Sequence, residues 1–328
     1  MLALFAASAD ADPKKLSKEL HGTQPSALVD VIVQFDPSNK TIANILKLRG
    51  QTKKEFRVFT GIALRLPANA AAALATVPGV KYVSVNRKVE KKLEFAEPGV
   101  FADIAYQNGY NGAGVGVAVI DSGVTPHGDL TYGGASRVVY SENFVAGTTS
   151  AADAYGHGTH VADIVAGDAT QSTGTGTTRK FQGIAPRANI INLRVLDQNG
   201  SGDDIAVISA IDRAIELKSQ YNIRVMNLSL GRPIRESYTL DPLCQAVERA
   251  WQAGIVVVVA AGNRGRDNSM NNKGYSTIGA PGNSPWVITV GAIKDNRSNS
   301  RADDRMASFR SKGPSLIDGV VKPDLVAS

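Results

Sequence analysis

The apolar and polar positions of this chain fall into two successive patterns. From Ala27 to Val89, short apolar runs alternate with short helical stretches. Leu28–Phe35 reads as a strand, Asn39–Arg49 as a helix, and Phe56–Leu66 as a second strand bent at Gly61. Pro67 opens an Ala-rich helix over Ala68–Thr76, Pro78-Gly79 stops it, and Val80–Val85 closes the unit as a strand. Lys88–Gly99 is charged, breaks at Pro98-Gly99 and reads as an exposed linker.

The second pattern starts at Val115. Near-continuous Val/Ile runs at Val115–Ile120, Asn189–Leu196, Arg224–Leu230, Ile255–Ala261 and Val287–Ile293 predict strands. Between them, Thr159–Ala166, Asp203–Lys218 and Leu243–Gly254 predict helices, with Ile205, Ile208, Ile211 and Ile215 at helical spacing. Apolar strands alternating with helices imply an α/β fold in which a parallel sheet is covered on both faces. Sites in such sheets form at the carboxyl ends of strands. Asp121 and Asn263 both stand there.

Charge sharpens the division. The net charge is +6, but residues 1–95 carry +7 and residues 96–328 carry −1. The excess lies in pairs such as Lys53-Lys54 and Lys91-Lys92, without interleaved aromatics, so no nucleic-acid partner is expected. No run of about 18 apolar residues predicts a membrane span. The single cysteine, Cys244, excludes an internal disulfide and sits in a helical pattern as a small buried hydrophobe. At the start, apolar Leu2–Ala7 is followed by Ala7-Ser8-Ala9 and Ala9-Asp10-Ala11, which have the small-x-small form of a signal cleavage site. Residues 1–11 read either as a signal-peptide remnant or as a plain frayed terminus.

The chemistry-bearing residues are few. Asp121-Ser122-Gly123 follows an apolar strand, and His157-Gly158-Thr159-His160 opens a helix 36 residues later. An aspartate bonded to one imidazole nitrogen fixes the tautomer of a general base. Taken singly, Asp121 has the plain reading of a turn former, His157 of a helix cap, and Gly262-Asn263 of a turn. Four histidines and one cysteine are too few for a zinc site without carboxylates, so no metal is assigned to His157 and His160. An Asn amide held at a strand end, as in Ala260-Ala261-Gly262-Asn263, can donate to an oxyanion.

Together these motifs resemble the subtilase family of serine proteases. Residues from about 115 to 328 resemble its catalytic domain and 27 to 90 its inhibitory prodomain. The resemblance implies a subtilisin-like three-layer α/β fold with a central parallel sheet, preceded by a small ferredoxin-like α+β prodomain. The implied units are 1–11, a signal remnant; 12–95, prodomain and linker; and 96–328, the catalytic domain. Asp121 would be the triad acid, His157 the base and Asn263 the oxyanion donor. Ser229-Leu230-Gly231 and Gly200-Ser201-Gly202 match the two edges between which a peptide adds as a strand. Gly279-Ala280-Pro281-Gly282 would close a roomy, apolar specificity pocket. No cofactor is implied. Asp129 occupies a position that ligates structural calcium in some members, whereas the Gly/Thr-rich loop 167–180 differs from their calcium loop, so calcium stays open.

Two departures from the family pattern matter. Asp163 stands where most members have glycine, and on a packed helix it must reach solvent or a partner. The family's nucleophile segment, expected shortly after Lys322-Pro323-Asp324, is not reached, and Ser308 is no substitute. The expected reading is a secreted, monomeric serine endopeptidase, truncated in sequence, that acts on peptides and proteins and is made as a proenzyme inhibited by its own prodomain. As written, the chain is expected to show almost no proteolysis. The alternative is a non-catalytic relative that binds peptides. A dinucleotide site at Gly112-Ala113-Gly114-Val115-Gly116 is excluded, because these glycines precede the strand that a phosphate loop must follow.

Overall fold

The computed structural model describes residues 13–38, 40–91, 102–173, 181–294 and 304–327. The expectations for residues 1–11, for linker residues 92–99 and for loop residues 174–180 lie outside them.

The N-terminal unit runs β1 (Leu28–Phe35), α1 (Lys40–Lys47), β2 (Gln51–Phe56), β3 (Gly61–Pro67), α2 (Ala68–Leu74) and β4 (Val80–Val85). Its sheet has the order β2-β3-β1-β4, with antiparallel neighbours. The expected bent strand at 56–66 is instead a turn followed by β3, and β2 is an additional edge strand. Its sequence, QTKKEF, is mostly exposed and carries no apolar alternation, which is why pattern reading passes over it. In β1, Val31 and Val33 face α1 and α2 through Ile42, Leu46, Ala71 and Leu74. Ile32 and Ala63 point the other way, into the core of the larger unit. Both faces of β1 and β3 at the centre of this small sheet are therefore buried, which accounts for the consecutive apolar residues Val31-Ile32-Val33.

The larger unit begins with α3 (Ala102–Gln107) and β6 (Gly116–Asp121), after a four-residue strand, β5 (Lys88–Lys91), that belongs to neither main sheet. A small hairpin, β7 (Thr131–Tyr132) and β8 (Ala135–Ser136), precedes β9 (Val138–Asn143) and α4 (His157–Ala166). Then come β10 (Asn189–Arg194), β11 (Ser201–Asp203), α5 (Asp204–Glu216), α6 (Lys218–Tyr221), β12 (Ile223–Leu228), β13 (Leu230–Gly231), α7 (Pro242–Gln252) and β14 (Val256–Ala260). The last strands are β15 (Ile288–Lys294), β16 (Arg305–Met306) and β17 (Leu325–Ala327). The central sheet has the order β16-β15-β14-β12-β6-β10-β9, with β17 on β15, and only β16 is antiparallel.

Alternation along β6 assigns the layers. Ala118 and Ile120 pack with Val207, Ile211, Leu243 and Val247 of α5 and α7, whereas Val117 and Val119 pack with Val161, Ala162 and Ala166 of α4. Each such buried Val, Leu or Ile side chain contributes about 1.5–3 kcal/mol. The fold is the expected three-layer α/β arrangement. The chain leaves β6 to build one side of the sheet through β9 and β10, then crosses to the other side with β12. The crevice at the carboxyl ends of β6 and β12 is thus the topological switch point, where ligands bind in such sheets.

Candidate active site

Asp121 is the last residue of β6, and none of it is exposed. His157 is the first residue of α4, and its Nδ1 lies 2.6 Å from Asp121 Oδ1. The same carboxylate oxygen accepts the backbone N–H of Ser122 at 2.7 Å. Among the described residues, the outer imidazole nitrogen, Nε2, is buried and has no hydrogen-bond partner. The dyad therefore has one nitrogen held by the acid and the other available to accept a proton.

The distance between helix and strand is set by backbone. A Cβ added at Gly158 would collide with the carbonyl oxygen of Gly123, and Gly123 itself has φ +107° with Ala151 O against its face. No side chain fits between them. Gly158→Ala is expected to force α4 away from β6 and destabilise the fold by about 1–3 kcal/mol, checked by the urea midpoint.

Asp153 completes the mount. Its carboxylate accepts from Ser122 Oγ, from the backbone N–H groups of Tyr155, Gly156 and Thr159, and from Thr159 Oγ1. Ser122 Oγ in turn accepts the N–H of Gly158 at 2.9 Å. Burial pushes the Asp153 carboxyl up, but the Thr159 and Gly156 bonds outweigh it and hold the group below its usual range. Asp153 thus satisfies first-turn donors of α4 that a helix leaves open, while Ser122 links it to the acid's own strand. The sequence reading missed Asp153; an aspartate four residues before a helix start was the available signal.

The two expected substrate edges come together. Ser201-Gly202 lies in or beside β11, Leu230-Gly231 forms β13, and β5 is seated between them, antiparallel to both. Gly202 pairs with Val89, Leu230 with Lys91, and Gly231 with Glu90. The stretch read as exposed linker therefore forms a strand at Lys88–Lys91. Three of its four residues are charged, and main-chain pairing leaves no hydrophobic signature. Asn227 of β12 pairs with Val119 of β6, and Ser229 follows directly on the end of β12. Gly200 flanks this edge, where a Cβ would strike the Tyr155 ring. Ala280 exchanges backbone hydrogen bonds with Arg232, and Gly279 N–H donates to Ala261 O, which places Gly279-Ala280-Pro281 beside the β13 edge. Asn263 follows β14 and is exposed.

Asp163 finds no simple partner. Its Oδ1 is buried without a hydrogen bond among the described residues, and burial, then the nearby Asp129 charge, push its carboxyl up. His127, Asp129 and Asp163 bring one donor atom each within 4.8 Å of one another, a grouping that sequence spacing did not show. Asp129 Oδ1 already accepts from Thr170 Oγ1 and the Gln171 N–H, and its carbonyl accepts from the Arg137 guanidinium. Calcium takes six to eight oxygens, and among the described residues this grouping offers two carboxylates and one imidazole. A raised folded pKa means that stability fully present below the unfolded value of about 3.8 is lost as pH rises through the folded one. Asp163→Asn is therefore expected to raise Tm at pH 7 in the presence of chelator, with the gain vanishing below about pH 3.8.

Comparison with known proteins settles the family. Residues 112–328 match the model of the subtilase family, Peptidase_S8. The chain belongs to the subtilase family. It is 39% identical over 272 residues to the serine protease AprX of Bacillus subtilis, covering 80% of this chain and 57% of that protein. It is 39% identical over 220 residues to subtilisin DY of Bacillus licheniformis, covering 67% and 68%. With subtilisin E of Bacillus subtilis it shares 35% over 271 residues, covering 81% and 63%. This subtilase chain thus spans little more than half the length of AprX. Among its described residues, no helix is long and apolar enough to cross a membrane.

Proposed function

We propose that the complete enzyme is a secreted, monomeric serine endopeptidase that hydrolyses peptide bonds in proteins and peptides by acyl transfer. The observation that carries this reading is the buried 2.6 Å contact between Asp121 and His157, with Nε2 directed to no described residue. In the proposed mechanism, His157 Nε2 takes the proton of a serine hydroxyl as its oxygen attacks the substrate carbonyl. Asp121 holds Nδ1–H and stabilises the imidazolium that results. The Asn263 side-chain amide donates to the oxyanion of the tetrahedral intermediate. His157 then returns the proton to the leaving amine, and water repeats the sequence on the acyl-enzyme.

Residues 12–95 are proposed to be the inhibitory prodomain, and β5 supports this, because it fills the groove between β11 and β13. A substrate would add to the same two edges, with its side chain entering the pocket closed by Gly279, Ala280 and Pro281. The proposal assigns no cofactor to the chemistry. Two measurements test the reading together. The complete enzyme should be inactivated by a serine-directed phosphonyl fluoride, and N-terminal sequencing of the mature form should place its start within residues 92–99. Activity that persists after stoichiometric labelling would overturn it. Residues 1–328 alone should show no peptide hydrolysis above background; turnover insensitive to His157→Ala would remove the dyad from the mechanism.

A further inference from the structure

The N-terminal unit and the catalytic unit meet through an ionic cluster whose two sides are unequal in burial. Arg87, between β4 and β5, places Nη2 2.8 Å from Glu236 Oε2, with Nη1 on Oε1. Its Nε lies 2.9 Å from Glu19 Oε1, within its own unit. Tyr82 of β4 donates its hydroxyl to Glu236 Oε2 at 2.7 Å. Glu236 lies in the segment between β13 and α7, and side-chain exposure is 9% for Arg87 and 3% for Glu236. By contrast, Arg57–Glu216, a second ion pair across the same boundary, leaves Arg57 80% exposed. Exposed pairs contribute little, whereas breaking a buried bidentate pair strands a charge without solvent.

The backbone beside Arg87 adds to this anchorage. The Asp204 N–H donates to Arg87 O at 3.0 Å, and the Ile205 N–H donates to Asn86 Oδ1 at 3.1 Å. The open first-turn donors of α5 are thus capped by the other unit. We propose that Glu236 is the recognition anchor of the catalytic unit for its N-terminal inhibitor, and that it selects an inhibitor presenting the paired guanidinium and phenol of Arg87 and Tyr82. The proposal rests on the reading of residues 12–95 as a prodomain and goes beyond it by naming what determines how tightly that prodomain is held once the connection is cut. An inhibitor unit lacking arginine at this place would be rejected even if its sheet still matched α5 and α7.

The test uses the whole chain with a recognition site for an unrelated sequence-specific protease inserted between residues 92 and 99. After cutting, the dissociation constant of the two pieces is measured by dilution and size-exclusion chromatography. Arg87→Ala should raise it by about 10²–10³-fold. Glu236→Gln, which leaves the N-terminal unit's own contacts untouched, should weaken the complex in the same range, so misfolding of the inhibitor cannot mimic the result. The charge exchange Arg87→Glu with Glu236→Arg should recover at least about tenfold over either single change. Arg57→Ala should change the constant less than about fivefold. If Arg87→Ala and Glu236→Gln have effects no larger than Arg57→Ala, the anchor is wrong while the prodomain reading stands. If the unaltered pieces separate at micromolar concentration, the prodomain reading itself fails and the anchor with it.

Discussion

If the complete enzyme is the serine endopeptidase proposed above, His157→Ala is expected to lower kcat by about 10⁶-fold, the size known for subtilisin itself, and Asp121→Asn by about 10⁴-fold. The geometry explains why the two differ. Without the imidazole nothing takes the serine proton, because Nε2 is the buried atom facing away from the acid. With asparagine replacing Asp121 the ring stays, since α4 is still fixed by Asp153, Ser122 and the Gly123–Gly158 contact. An amide N–H pointing at Nδ1 then favours the tautomer protonated on Nε2, which cannot act as base. The double variant should be no slower than His157→Ala alone, because both changes disable one proton transfer. Single-turnover rates of the three variants decide this. Losses that multiply, to about 10¹⁰, would mean that Asp121 acts independently of the ring.

The second large effect concerns stability. Arg232 is fully buried and donates from Nε to Asp204 and from Nη2 to Asp241, both at 2.8 Å. Asp204 is the first residue of α5, and Asp241 caps α7 by accepting the N–H groups of Leu243 and Cys244. One guanidinium thus ties together the starts of α5 and α7, the two helices that cover one face of the sheet. Burial pushes the Asp204 carboxyl up, and Arg232 opposes this. Arg232→Met leaves two carboxylates without solvent or counter-ion, and is expected to destabilise the chain by about 3–5 kcal/mol. Chemical denaturation of residues 1–328 at pH 7 measures it. Replacing Asp204 by Asn in the Arg232→Met background should restore part of the loss, because one stranded charge is then removed. An Arg232→Met variant within about 1 kcal/mol of the parent would show that water reaches both aspartates.

How much of this was legible in the chain depends on whether a feature leaves a local trace. The strands β6, β10, β12, β14 and β15 fall within a few residues of their expected places, because a doubly covered parallel strand must be apolar on both faces. The helices α5 and α7 were legible from their spacing. Strand β2 was not, since an exposed edge carries Lys53 and Lys54 where alternation would be sought. Strand β5 was read as linker because three of its four residues, Lys88, Glu90 and Lys91, are charged. The pairing of Asp121 with His157 was legible through the motif around each residue. Arg232 with Asp204 and Asp241, and Arg87 with Glu236, were not, because charges far apart in sequence announce nothing until the fold joins them. Asp163 was marked as needing a partner, and it faces another carboxylate instead.

The seating of β5 has a consequence for what such a groove can hold. Three residues of β11 on one side and two of β13 on the other grip a strand through amides and carbonyls that nearly all amino acids share. Only proline lacks the amide hydrogen. If substrate takes the place of β5 as proposed, this main-chain grip asks a guest for slack, and any preference for side chains falls to the pocket beside it. A guest chain must surrender several consecutive residues from its own fold before it can lie flat. Compact proteins would thus be spared until a loop frays, and a proline within the gripped stretch would protect even a loose one.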